Sequence, residues 1–111
     1  MSISKIFEKD IDVKLLSEDN FTANISENWS IGQTANGGYS MALIAKACSK
    51  ALSHKDPLVL SANYIDRVEF GPADIQITKI ASTKKHLYCA CITQTKWNIK
   101  NILYCNFYRF F

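Results

Sequence analysis

The 111 residues contain no CxxC pair, no run of apolar residues near the roughly 20 that a membrane helix needs, and no basic cluster interleaved with aromatics. Each absence removes a class. A bilayer-spanning helix is not expected. Nucleic-acid binding is not expected either, because the net charge is only +3 and Lys84-Lys85 is the one adjacent basic pair. Residues 1–10 lack the apolar segment of a secretory signal, so a cytoplasmic or other reducing location is expected. No phosphate-binding loop, dinucleotide fingerprint or G-x-S-x-G turn occurs, and the two histidines, His54 and His86, stand apart from any nucleophile motif. Internal repeats and low-complexity tracts are absent, which leaves a single domain over residues 1–111.

Four cysteines are present: Cys48, Cys89, Cys91 and Cys105. Cys89 and Cys91 alternate within one strand-like run, share a face and cannot easily bridge each other. Neither histidine has a metal-ligand spacing to a cysteine. The expectation is therefore buried free thiols acting as small hydrophobes, with no metal site.

Hydrophobic residues make up 48% and charged residues 21%, the balance of a globular chain. Ile3, Ile6 and Phe7 suit a short helix or strand, Asp10 to Val13 an edge strand, and residues 1–19 read as a loosely ordered arm. Phe21, Ala23 and Ile25 alternate with Thr22, Asn24 and Ser26, which places a strand at about 20–29. Ser30 to Asn36 is a loop. From Tyr39 to Leu52 strong helix formers dominate, with Asn36 as N-cap and Gly37-Gly38 at the entrance. Lys46, Ser49, Lys50 and Ser53 form one narrow polar stripe, so this helix is expected to be mostly buried. Strands follow at Leu58–Val68, Ala73–Ser82, His86–Trp97 and Ile102–Phe111, the last three as an antiparallel meander. One buried helix against one large antiparallel sheet is an α+β architecture.

Several motifs occur in a familiar order. Trp29-x-x-Gly32 and Asn36-Gly37-Gly38-Tyr39 precede an Ala-rich helix. Pro57-Leu58 leads into Asn63-Tyr64-Ile65-Asp66-Arg67, Gly71-Pro72-Ala73 forms a turn, and Gln94-Thr95-Lys96 closes a strand. Together they resemble the acyl-CoA thioesterase branch of the hotdog superfamily, over about residues 20–111, and in particular the N-terminal unit of double-hotdog thioesterases. The resemblance implies a curved antiparallel sheet wrapped around one central helix, acyl-CoA as substrate or ligand, no other cofactor, and pairing with a second copy or a second hotdog unit.

It also implies a site. In such proteins the thioester carbonyl lies at the N-terminus of the central helix, where unpaired amides and the helix dipole favour a developing oxyanion. Asn36, Gly37 and Gly38 occupy that place; they are equally an N-cap and tight turn. Tyr39 follows them as a substrate-binding candidate. Single-hotdog enzymes often carry an acid in the helix, but Tyr39 to Leu52 contains none. Asp66 is the substitute candidate for activating water, or else a solvated edge charge. Asn63 and Gln94 could bind the thioester or a water, or could hydrogen-bond across the sheet. Lys84 and Lys85 could meet coenzyme A phosphates, or form a solvated turn. Two functions remain open at this stage, thioester hydrolysis and non-catalytic acyl-CoA binding or dimerisation. An unrelated helix-on-sheet binding protein is a third.

Overall fold

The computed structural model describes residues 3–54, 56–96 and 98–109. The chain opens with helix α1 (Ile3–Asp10) and strands β1 (Val13–Ser17) and β2 (Asn20–Ile25). A 3-10 turn at Glu27–Trp29 leads to a two-stranded hairpin, β3 (Ser30–Ile31) and β4 (Thr34–Ala35). Helix α2 (Gly37–Ala51) comes next, then β5 (Asp56–Tyr64), β6 (Gly71–Ser82), β7 (His86–Thr95) and β8 (Asn98–Tyr108). The six long strands form one antiparallel sheet in the order β1-β2-β6-β7-β8-β5.

The sheet wraps α2, as the sequence implied. Helix α2 contacts both edge strands, β1 and β5, as well as β6. Register shifts at Leu15/Ser17, Pro57/Val59, Lys79/Ala81 and Thr93/Gln94 supply the bends that curvature requires. The helix buries Tyr39, Ser40, Leu43, Ile44, Ala47 and Cys48, a single stripe of adjacent turns. The strands bury alternate residues against it: Ala73, Ile75 and Ile77 from β6, Leu87, Cys89 and Cys91 from β7, and Leu103, Cys105 and Phe107 from β8. Each fully buried large side chain contributes about 1.5–3 kcal/mol relative to exposure. The dry face is narrower than expected, since Met41, Ala42 and Ala45 are only half-buried. Among the described residues no helix is long and apolar enough to cross a membrane.

Three local readings are corrected. Residues 3–10, expected within a loosely ordered arm, form α1, which is stapled to the body. Phe7 packs edge-on against Trp29 with ring centroids 4.9 Å apart, and the Asp10 carboxylate accepts from Asn28 Nδ2 at 2.9 Å and Trp29 Nε1 at 3.0 Å. The strand placed at 20–29 ends at Ile25, because the Ser26 hydroxyl accepts from the Asn28 amide at 3.1 Å and starts the 3-10 turn. Strand β5 stops at Tyr64, short of Val68. The Ile65 and Asp66 amides both turn to the Lys100 carbonyl, at 2.9 and 3.1 Å, and the Val68 carbonyl accepts from the Ala35 amide at 3.1 Å. Trp97, Phe110 and Phe111, read as strand ends, lie outside the described residues.

Candidate functional site

The N-terminus of α2 is built by three neighbours. Asn36 has extended backbone and its Oδ1 accepts from the Gly38 amide at 2.8 Å, which makes it the N-cap the sequence indicated. The Asn36 amide is tied to the Trp29 carbonyl at 2.7 Å, so the cap is fixed to the preceding turn. Tyr64, from the end of β5, donates its hydroxyl to the Gly37 carbonyl at 2.7 Å. A Cβ on Gly37 would lie 3.0 Å from both Cζ and Oη of Tyr64, so any larger residue would push the end of the ring back by a few tenths of an ångström. The Gly38 amide is taken by the cap, whereas the Gly37 and Tyr39 amides have no acceptor among the described residues. Of the two glycines proposed for an oxyanion role, only Gly37 keeps an uncommitted amide.

Beside this helix end lies a cleft of about 390 Å³, lined by Ile31, Gly37, Ser40, Tyr64, Asp66 and Arg67 among others. Asp66 therefore reaches the cleft that contains Gly37. Its carboxylate accepts from the Arg67 amide at 2.7 Å and from Lys100 Nζ at 3.3 Å. The Arg67 amide, and after it Lys100, hold its pKa below the usual carboxylate value. Lys100 also pairs with Glu69 Oε1 at 2.7 Å, and that bond raises the lysine pKa.

Sequence periodicity gave no hint of Lys100. Strand β8 carries a bulge there: Thr93 pairs with Asn101 and Gln94 with Ile99, so Lys100 is the extra residue. The bulge turns both Lys100 and Asn101 inward, and both are buried. Next to them, Thr93 and Thr95 of β7 are buried with unpartnered hydroxyls, as are Asn101 Nδ2 and Oδ1 and Ser40 Oγ. These polar atoms at inward positions were the readable signal; Thr93 and Thr95 continue the parity of Cys89 and Cys91.

The other expected residues are dispersed. Tyr39 is buried, and its hydroxyl donates to the Asp10 carbonyl at 2.7 Å and accepts from the Ser26 amide at 3.0 Å, so it serves the fold rather than a cleft. Asn63 is exposed on β5 opposite Ile102. Gln94 lines a separate cleft of about 280 Å³ with Phe70, Asp74 and Lys96. Lys84 and Lys85 sit in the β6–β7 turn, where His54 Nε2 meets the Thr83 and Lys84 carbonyls at 3.1 and 3.2 Å. His54 follows the C-terminal end of α2, so that turn lies a helix length, about 22 Å, from Gly37. A larger cleft of about 690 Å³, between Lys50, Ala51 and the β1 residues, also lies toward that end. It gathers neither Gly37 nor Asp66. The four cysteines are free and buried, as expected.

A family model for the acyl-CoA thioesterase N-terminal domain matches residues 25–89, more than half of the chain. Among curated proteins no relative matches this sequence. Solved structures share the fold at low identity. A proposed thioesterase II from Thermobifida fusca superimposes with a TM-score of 0.89 at 16% identity, over 92% of this chain and 38% of that one. The tesB protein of Mycobacterium avium subsp. paratuberculosis gives 0.85 at 11%, over 97% and 43%. This chain therefore spans about two fifths of their length. A Streptococcus mutans protein solved with acetyl-CoA gives 0.78 at 13% identity, over 88% of this chain and 89% of that one. The helix-wrapping sheet, the capped Asn36-Gly37-Gly38 helix entrance and the match over 25–89 lead to one conclusion: the chain has the hotdog fold and belongs to the acyl-CoA thioesterase N-terminal domain family.

Proposed function

We propose that this protein binds fatty acyl-CoA with the thioester carbonyl at the N-terminus of α2 and hydrolyses it. The observation that carries the reading is the cleft shared by the Gly37 helix end and Asp66. The Gly37 amide and the positive end of the helix dipole polarise the carbonyl oxygen. Asp66 takes a proton from water as its oxygen attacks the carbonyl carbon, the carbon–sulfur bond breaks, the proton passes to the departing thiolate, and the acid and the coenzyme A thiol leave. Asp66 is ionised at neutral pH, as a base must be, although its lowered pKa makes it a weak one. The N-terminal-domain family match and the relative bound to acetyl-CoA support the ligand class.

The second reading, a non-catalytic acyl-CoA-binding or dimerisation unit, draws on a specific observation: the Asp66 carboxylate is already engaged by Arg67 and Lys100. Acyl-CoA hydrolysis by the purified chain over several acyl lengths separates the two. Turnover supports the enzyme. Tight binding without turnover supports the binding unit.

Pairing belongs to the same proposal, with a second copy or with a second hotdog unit. Leu58, Val59 and Tyr64 on edge strand β5 are 56%, 53% and 51% exposed, and Met41, Ala42 and Ala45 on the flank of α2 are half-buried. A dimer mass in light scattering supports a homodimer; a monomer at micromolar concentration contradicts it. A cytoplasmic setting and a role in lipid metabolism go with this reading.

A further inference from the structure

The sulfur atoms of Cys48, Cys89, Cys91 and Cys105 all lie within 4.8 Å of one another in the core. Their side chains come from three elements: Cys48 from α2, Cys89 and Cys91 from β7, and Cys105 from β8. Cys89 and Cys105 are direct cross-strand partners. Cys91 stands one inward position further along β7, and Cys48 reaches down from the helix to it. The sulfurs of Cys48 and Cys91 are 3.5 Å apart, and those of Cys89 and Cys91 are 3.9 Å apart.

These distances are too long for disulfides, whose sulfurs are about 2.05 Å apart. They are the right length for the edges of a coordination tetrahedron. A zinc–sulfur bond of about 2.3 Å implies sulfur–sulfur edges of about 3.8 Å. The four sulfurs, brought from three elements, form one cluster small enough to surround a single ion.

We propose that these four cysteines form a structural site for one soft divalent cation of the zinc class, bound as a tetrahedral tetrathiolate. The donor set selects the ion: four sulfurs exclude the oxygen-seeking magnesium and calcium and favour zinc or a softer d10 ion. The Cys48–Cys91 and Cys89–Cys91 edges fit a mononuclear centre, and all six lie within 4.8 Å. Binding exchanges four S–H bonds for four metal–sulfur bonds and releases four protons, with no change of oxidation state. All four are buried, so the ion would bolt the C-terminal half of α2 to the middle of the sheet. It would not take part in thioester chemistry, because Cys48 lies about 16 Å along the helix from Gly37.

The test uses the full chain, produced in zinc-supplemented medium and purified with reductant and without chelator. Metal content by mass spectrometry should be one equivalent per chain. Cobalt exchanged for zinc should show the thiolate-to-cobalt charge-transfer band and the intense visible bands of tetrahedral sulfur coordination. A strong chelator should lower the melting temperature and expose four titratable thiols. Cys105→Ala should remove the stoichiometric metal; if that variant does not fold, the cobalt spectrum of the unaltered chain still decides. Trace metal only, four thiols that titrate on unfolding, and a melting temperature indifferent to zinc and chelator would together overturn the proposal.

Discussion

The Tyr64 hydroxyl donates to the Gly37 carbonyl at 2.7 Å, and its ring occupies the space that a Cβ on Gly37 would enter. Strand β5 and the N-terminus of α2 are thus fitted to each other through one glycine. Gly37→Ala should displace the ring and crowd the Gly37 amide at the cleft. Alanine is a better helix former than glycine by about 1 kcal/mol, so folding stability should change little. Acyl-CoA hydrolysis should fall by tenfold or more, which corresponds to about 1.4 kcal/mol of lost transition-state stabilisation. Steady-state kinetics beside urea unfolding of the same preparation separate the two effects.

Removal of the cap should do the reverse. Asn36→Ala frees the Gly38 amide and leaves the helix end uncapped, at a cost of about 1 kcal/mol. Asn36→Asp keeps the acceptor and adds a charge that the helix dipole favours, so it should retain most of the stability. Urea midpoints at unchanged slope are the readout.

Tyr39 distinguishes a fold residue from a ligand residue. Its hydroxyl holds Asp10 and Ser26, so Tyr39→Phe should loosen α1 and the 3-10 turn. Two hydrogen bonds of ordinary worth predict a loss of about 1–3 kcal/mol. Hydrogen exchange at residues 3–29 should rise with it, whereas an effect confined to acyl-CoA affinity would restore the substrate-binding role.

The Lys100 cluster gives a pH prediction. Asp66 and Glu69 both have depressed pKa values in the fold, Asp66 through the Arg67 amide and then Lys100, Glu69 through Lys100. A carboxylate with a depressed pKa stabilises the fold above its unfolded value, about 3.9 for Asp and 4.3 for Glu, and that stability is lost as the pH falls through the folded value. Lys100, with a raised pKa, stabilises below about 10.4 and loses its contribution as the pH rises through its folded value. Lys100→Met should therefore flatten the stability profile at both ends. It should also move the acid limb of kcat/KM to higher pH if Asp66 is the base. An unmoved acid limb in a folded, active variant would remove Asp66 from that role.

The parts that were legible in the sequence are those set by local pattern. The α2 helix showed in its helix formers and its Asn36 cap, and β6 and β7 showed in strict alternation. The α+β class followed from their order. What was not legible depends on register between distant strands. The bulge at Lys100 breaks alternation only because β7 and β8 slip by one residue there, and nothing within 98–108 announces it. The convergence of Cys48 with Cys89, Cys91 and Cys105 was hidden for the same reason, because spacing along the chain does not show which helix turn lies over which strand pair. The N-terminal arm looked loose because the partners of Phe7 and Asp10, Trp29 and Asn28, are nearly 20 residues on.

The central claim is that the thioester carbonyl is polarised at the N-terminus of α2. Isotope-edited infrared difference spectroscopy, with acyl-CoA carrying a 13C-labelled thioester carbonyl and mixed rapidly with the protein, reads that bond directly. The predicted result is a bound carbonyl band shifted to lower frequency than in water, with the shift lost in Gly37→Val. A bound, saturable carbonyl band at its solution frequency, unchanged by Gly37→Val, would contradict it.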